Sequence, residues 1–392
     1  MNFTDIKQIY SQSVMPTYAR QEICFVRGEG VYLWDTEGRR YLDLSSGIGV
    51  NSIGYSHPEW LKAVHDQACK LVHVSNLFYT EPGGILAQKL CVLSGLSSVF
   101  FANSGAEANE GLVKLARKYS ADTYPGCRRH TIVTLLQSFH GRTHTTLAAT
   151  GQESFHRHFQ PLTPGFCHVP MGDIAALEIL GDDICAVLLE PIQGEGGVIP
   201  LPKEYVKAVA RLCKERDWLL LMDEVQTGIA RCGTWFDFQN YDVIPDAVSF
   251  AKGIAGGLPL GGIIAGDKLR DTLGPGLHAT TFGGTPLCCA AGLSVLNILE
   301  KELETIAERG GYFKDKLIEM NIPCIKETRG RGLMIAADID ADPKQAQEKL
   351  LSAGLVCLTA GSSAIRFLPP LVISKNELDQ GLDIIQKVLY RL

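Results

Sequence analysis

From about residue 98 onward, apolar runs of strand length alternate with amphipathic runs of helix length, and this alternation restricts the fold more than any other feature of the chain. The apolar runs are Val99–Ala102, Ile132–Leu136, Ile184–Leu189, Trp218–Met222, Ala247–Phe250 and Gly262–Ala265. Near-continuous apolar strands are buried on both faces, and the helices between them are the crossovers that parallel strands need. The spacing predicts helices over Ala106–Tyr119 and Lys203–Arg216. In the first, Leu112, Leu115 and Tyr119 share a face, and Glu110 and Lys114 stand at the i,i+4 spacing of a helical ion pair. The expectation is an α/β chain with a mostly parallel central sheet covered by helices.

The flanks read differently. Residues 20 to 55 hold short alternating segments, and Val31–Trp34 before the turn Asp35–Gly38 predicts a small antiparallel hairpin. A helix is expected after His57-Pro58, with Trp60, Leu61 and Val64 on one face. Past residue 285 the pattern becomes a long helix through Lys301 toward Met320. Shorter strands at Leu333–Ile339, Leu355–Leu358 and Ala364–Leu368 follow, between helices. With 392 residues the chain exceeds one compact core. The expected division is a large domain over 56–285, and a smaller α+β domain built from the segment 1–55 and the part 286–392.

Lys and Arg number 37 against 43 Asp and Glu, a net charge of −6, so no basic excess exists to neutralise a polyanion such as nucleic acid. The 12 cysteines include no CxxC and suggest no zinc or other metal site. Met1–Gln12 has no apolar core segment, and no uncharged apolar run approaches the ~20 residues of a membrane span. The expectation is a cytoplasmic protein with reduced cysteines. The 40 glycines are more telling, because they cluster where strands end.

Asn103-Ser104-Gly105-Ala106 follows a strand and opens a helix, where free N–H groups and the helix dipole can hold a phosphate. An ordinary turn with a polar cap has the same pattern. Leu219–Met222 ends in Asp223-Glu224-Val225-Gln226, placing a carboxylate at a strand's carboxyl end, where α/β sheets bind ligands. Such an acid can hold a cation or a protonated ring nitrogen, or cap a helix. Lys252 follows the buried run Ala247–Phe250 and precedes a Gly-rich loop. A desolvated lysine loses its proton readily and can form a Schiff base. Phe139, His140 and Arg142 follow Ile132–Leu136, offering a flat ring, an imidazole and a guanidinium suited to a carboxylate. Glu190–Gly197 and His278–Pro286 are further polar, Gly-containing loops. Together these supply a phosphate cradle, an aromatic plate, acids, an arginine and a lysine, the set that a phosphorylated aromatic cofactor bound to lysine requires.

On these motifs the chain, from Tyr18 to Pro370, resembles the class III (ornithine-type) pyridoxal-phosphate aminotransferases of fold type I. The resemblance implies pyridoxal 5'-phosphate bound covalently to Lys252, which also shuttles the proton. It implies Asp223 at the pyridine nitrogen, Val225 and Phe139 on the two ring faces, Gln226 at the phenolic oxygen, and Ser104, Gly105 and Ala106 on the phosphate. Ala106 stands where the family often has Thr, and its N–H can serve in the same way. Thr281 would reach the phosphate from the neighbouring subunit, implying a homodimer with shared sites, with Thr280 beside it at the substrate.

The resemblance further implies Arg142, helped by Tyr18, on the donor's α-carboxylate, and Glu195 as a switch acid paired with Arg366. The expected reaction is transfer of the δ-amino group of N2-acetyl-L-ornithine to 2-oxoglutarate. Its products are N-acetyl-L-glutamate 5-semialdehyde and L-glutamate, a step of arginine biosynthesis. Ornithine, succinylornithine and N-succinyl-diaminopimelate remain alternative donors, and a pyridoxal-phosphate aminomutase or racemase is the alternative of another class.

Overall fold

The computed structural model describes all residues from Met1 to Leu392. Three short strands, β1 (Phe25–Glu29), β2 (Tyr32–Asp35) and β3 (Arg40–Asp43), form an antiparallel meander where the sequence predicts one hairpin. The turn Asp35–Gly38 is held by Asp35 Oδ1, which accepts the N–H groups of Glu37 and Arg39 at 2.9 Å each. The helix Pro58–Lys70 begins where Pro58 fits a first turn, but Leu61 is 48% exposed while Trp60 and Val64 pack inward.

The central sheet collects β4 (Ser98–Ala102), β5 (Thr131–Leu135), β6 (Phe166–Val169) and β7 (Ile184–Leu189). A two-stranded ribbon, β8 (Ile192–Gln193) and β9 (Ile199–Pro200), branches off, and β10 (Leu219–Asp223), β11 (Ala247–Phe250) and β12 (Gly261–Ala265) complete the sheet. The order is β4-β12-β11-β10-β7-β5-β6. Strands β5, β7, β10 and β11 are buried throughout, as their near-continuous apolar runs require. The sheet is mostly parallel, as expected, but β12 runs antiparallel to both β11 and β4. Only a short loop joins β11 to β12, too little chain for a parallel crossover. β6 lies at the sheet edge with Cys167 and His168 in its middle, so no apolar run marks it.

The predicted helix from Ala106 spans Gly105–Thr123 and buries Leu112 and Leu115. Its expected Glu110–Lys114 pair does not form. Lys114 Nζ instead donates to Leu277 O at 2.8 Å, and Glu110 accepts from Thr143 Oγ1 at 2.7 Å. A tertiary partner of fixed geometry outweighs an exposed helical pair worth ~0.3–0.5 kcal/mol.

The long helix Pro286–Glu319 leads to β13 (Ile325–Arg331) and β14 (Met334–Ile339). The expected strand Leu355–Leu358 divides into β15 (Leu355–Val356) and β16 (Leu358–Ala360), and β17 (Ala364–Phe367) follows. β15 joins β3 in parallel, whereas β16 pairs with β17, so Cys357 marks the passage between two sheets. Polar β13 is an edge strand beside β14, which explains its silence in the apolar pattern. No helix is long and apolar enough to cross a membrane. Of the cysteines, Cys69 and Cys127 are exposed and none is disulfide-bonded.

Candidate active site

The carboxyl ends of β5, β7, β10 and β11, neighbours in the sheet, open into a cleft of about 430 Å³. The reversed β12 starts at this end of the sheet, so Leu258, Pro259 and Leu260, just before it, line the same cleft. The first turn of the helix after β4 closes another side with Ser104, Gly105 and Ala106.

Asp223, at the end of β10, is 4% exposed and fixed by several donors. Its Oδ2 accepts from Asn109 Nδ2 at 2.7 Å and lies 2.8 Å from His140 Nδ1. Its Oδ1 accepts from Val225 N at 3.1 Å and from Ser249 Oγ at 3.3 Å. His140 is buried, and burial lowers its pKa. The hydrogen bond and charge of Asp223 outweigh that effect, and the net shift is upward.

Two residues beyond β11, Lys252 takes φ +45° at the start of a short 3-10 turn and enters the cleft. Burial lowers its pKa, and Arg366 pushes the same way against Glu195 and Asp223. The result is an amine that gives up its proton more easily than a surface lysine.

Ser104 caps the helix Gly105–Thr123, its Oγ accepting from Glu107 N at 3.2 Å. That leaves the N–H groups of Gly105 and Ala106 at the positive end of a 19-residue helix, on the cleft wall. Gly105 is required there by contact. A Cβ on it would lie 2.6 Å from Val225 Cγ1. Val225 and Phe139 both line the cleft. Phe139 N donates to Glu190 Oε2 at 2.8 Å, and Gly194 N to Glu190 Oε1 at 3.3 Å. Glu190 therefore ties the segment bearing Phe139 to the one bearing Glu195. Burial raises its pKa to about 7, with His140 opposing.

Arg366, on β17, is 2% exposed, and its Nη1 donates to Glu195 Oε1 at 2.6 Å and to Gln226 Oε1 at 3.1 Å. Burial raises the Glu195 pKa, but Arg366 outweighs it and holds the acid below the ordinary value. Gln226 lines the cleft, so it links this pair to the floor.

The structure thus brings Ser104, Gly105, Ala106, Phe139, Arg142, Asp223, Val225, Gln226 and Lys252 to one cleft, with Glu195 and Arg366 beside it. Three predicted residues stand apart in the single chain. Tyr18 is 74% exposed, with the Arg20 guanidinium 5.5 Å from its ring. Thr281 is exposed, and Thr280 Oγ1 accepts from Asn103 Nδ2 at 3.2 Å, outside the cleft lining. Sequence reasoning missed Asn109, gave Glu190 no role and left His140 unassigned. The available signal was an Asn one turn into a helix on its apolar face, where an amide needs a partner.

The family model described as Aminotransferase class-III matches residues 14–389. The acetylornithine aminotransferase of Haemophilus ducreyi is 48% identical over 99% of this chain and 99% of its own length. That of Caldanaerobacter subterraneus is 46% identical over 96% of this chain and 97% of its own. Among solved structures, the ornithine aminotransferase of Toxoplasma gondii, with PLP partly occupying its active site, superposes with a TM-score of 0.94 at 31% identity. The match covers 99% of this chain and 94% of that one. The acetylornithine aminotransferase of Elizabethkingia anophelis gives 0.89 at 33%, covering 100% of both chains.

Proposed function

This chain belongs to the class-III aminotransferases, and from that premise we propose that it moves the δ-amino group of N2-acetyl-L-ornithine to 2-oxoglutarate, with pyridoxal phosphate as cofactor. The observation that carries the reading is the Glu195–Arg366 pair beside Lys252: one arginine, masked by an acid, at a site that must admit two unlike substrates in turn.

The cleft suits the cofactor on its own geometry. The absence of a Cβ at position 105 lets the helix start pack directly against Val225, and both residues line the cleft. The open N–H groups there suit a phosphate, and Asp223 offers a buried carboxylate on the cleft lining. Bound pyridoxal phosphate supplies a reactive aldehyde and a ring that withdraws electrons from the reacting carbon. The protein supplies the rest. Asp223, oriented by Asn109 and His140, would hold the cofactor's ring nitrogen. Val225 and Phe139 would confine the ring, and Gln226 would hold its oxygen. Lys252, with its lowered pKa, would hold the cofactor and, once displaced, would take the proton from the donor's δ-carbon and deliver it to the cofactor's carbon. Arg142 grips the donor's α-carboxylate. Glu195 neutralises Arg366 while the ω-amine substrate is bound and swings aside for the α-carboxylate of 2-oxoglutarate or glutamate.

The reading includes a homodimer in which Thr281 of a second copy completes the phosphate site and Tyr18 and Thr280 approach the substrate. Support comes from the exposed apolar run Leu77 (87%), Phe78 (64%) and Tyr79, with Phe282 (62%) also exposed. It also includes a cytoplasmic location and the division into 1–55, 56–285 and 286–392. The sheet β1-β2-β3-β15, which draws on both ends of the chain, supports that division. Assaying glutamate formation from 2-oxoglutarate with acetylornithine, ornithine, succinylornithine, succinyl-diaminopimelate and 4-aminobutyrate tests the reading. Acetylornithine should lead, and isomerisation of a donor without glutamate would overturn it.

A further inference from the structure

Arg142 lies on the rim of the cleft with no carboxylate against it, and its recorded side-chain neighbours are two phenyl rings. Its Cζ lies 4.0 Å from the Phe155 ring centroid and 5.5 Å from that of Phe139. The two rings meet edge to face at 6.1 Å. Phe155 belongs to the short helix Glu153–His156 rather than to a strand end, so no sequence motif marks it.

That helix is fastened on both sides. His156 Nε2 lies 2.9 Å from Leu147 O and 2.8 Å from Thr150 O, and Gln152 Nε2 donates to Ser138 O at 3.0 Å. The ring is therefore fixed relative to the Ser138–Arg142 segment before any substrate arrives. Phe155 also lines a second cavity of about 560 Å³, together with Glu195, Gln137 and Gln152. One ring thus touches the Arg142 guanidinium and the chamber on the Glu195 side.

A carboxylate neighbour would orient Arg142 but consume its charge. A ring face orients the guanidinium and leaves its N–H donors free for a bidentate carboxylate. It also removes in advance part of the rotamer freedom that a long side chain loses on binding. We propose that Phe155 is a positioning residue for donor recognition, its ring holding Arg142 oriented and unpaired for the donor's α-carboxylate. This rests on the role given to Arg142 above.

The test compares Phe155→Leu, Phe155→Tyr and the wild-type holoenzyme. The leucine variant should raise the KM for acetylornithine about twofold to thirtyfold, the range of a cation–π contact. Its kcat and its KM for 2-oxoglutarate should hold, and the tyrosine variant should match wild type. N-acetyl-1,4-diaminobutane, the donor without its α-carboxylate, should be used equally by all three. An equal loss on that analogue, or no loss on acetylornithine, overturns the proposal; Phe155→Met replaces the leucine variant if that one does not fold. Should wild-type enzyme ignore acetylornithine, the donor assignment fails by itself. Ornithine compared with 1,4-diaminobutane then decides the role of Phe155.

Discussion

Arg366 Nη1 is 2.6 Å from Glu195 Oε1 while its side chain is 3% exposed and that of Glu195 is 31% exposed. The arginine is the fixed partner and the acid the one with room to leave. Arg366 Nε is buried with no partner, so a second N–H awaits an acceptor there. Glu195→Gln should weaken the masking and favour substrates that bring their own α-carboxylate to Arg366. A charge-assisted pair contributes ~1.5–3 kcal/mol, so the kcat/KM ratio of acetylornithine to glutamate should fall about tenfold to a hundredfold. Single-turnover measurement of each half-reaction reads that ratio directly, and an unchanged ratio would sink the switch.

Lys252 stands at φ +45°, a conformation that costs a non-glycine residue about 1–3 kcal/mol and is retained where function needs it. Lys252→Ala keeps the Cβ and with it that strain, and should abolish both turnover and the visible absorption of lysine-bound cofactor. A variant that keeps the absorption band would remove Lys252 from the mechanism, whatever its activity.

The strands whose ends line the cleft were legible because burial on both faces leaves a near-continuous apolar run, and the polar residue that follows each run is conspicuous. Asp223 and Lys252 are of that kind. β6 and β13 were not legible, since edge strands tolerate His168 or Glu327 in their middle. The direction of β12 depends on loop length rather than on its own residues. Asn109 escaped notice because only the fold brings it to Asp223, 114 positions away. Phe155 resembles any core aromatic until Arg142 is seen against it.

Arg142 touches phenyl rings and no acid, so its charge is available on the cleft rim. Arg142→Ala should raise the KM for acetylornithine about tenfold to a hundredfold, the loss of a bidentate charged contact. The KM for 2-oxoglutarate should change little, because the proposed reading gives that carboxylate to Arg366. Equal effects on both substrates in steady-state kinetics would give Arg142 a different role.

His140 and Asp223 form a buried pair whose contribution to stability depends on pH in a definite direction. The folded-state pKa of His140 lies above its ordinary value, because the hydrogen bond and charge of Asp223 outweigh burial. The folded protein therefore binds this proton more tightly than the unfolded chain does. The resulting stabilisation is fully present below the unfolded pKa of about 6.5 and is lost as pH rises through the folded value. His140→Gln retains an N–H donor for Asp223 but does not titrate. Denaturant unfolding of both proteins across pH 5 to 9 should show wild type ahead by ~1.5–3 kcal/mol at the acid end. The gap should narrow steadily toward the alkaline end. A gap of constant size would mean that His140 keeps one protonation state throughout, and that Asn109 and Ser249 carry the pH-independent support of Asp223.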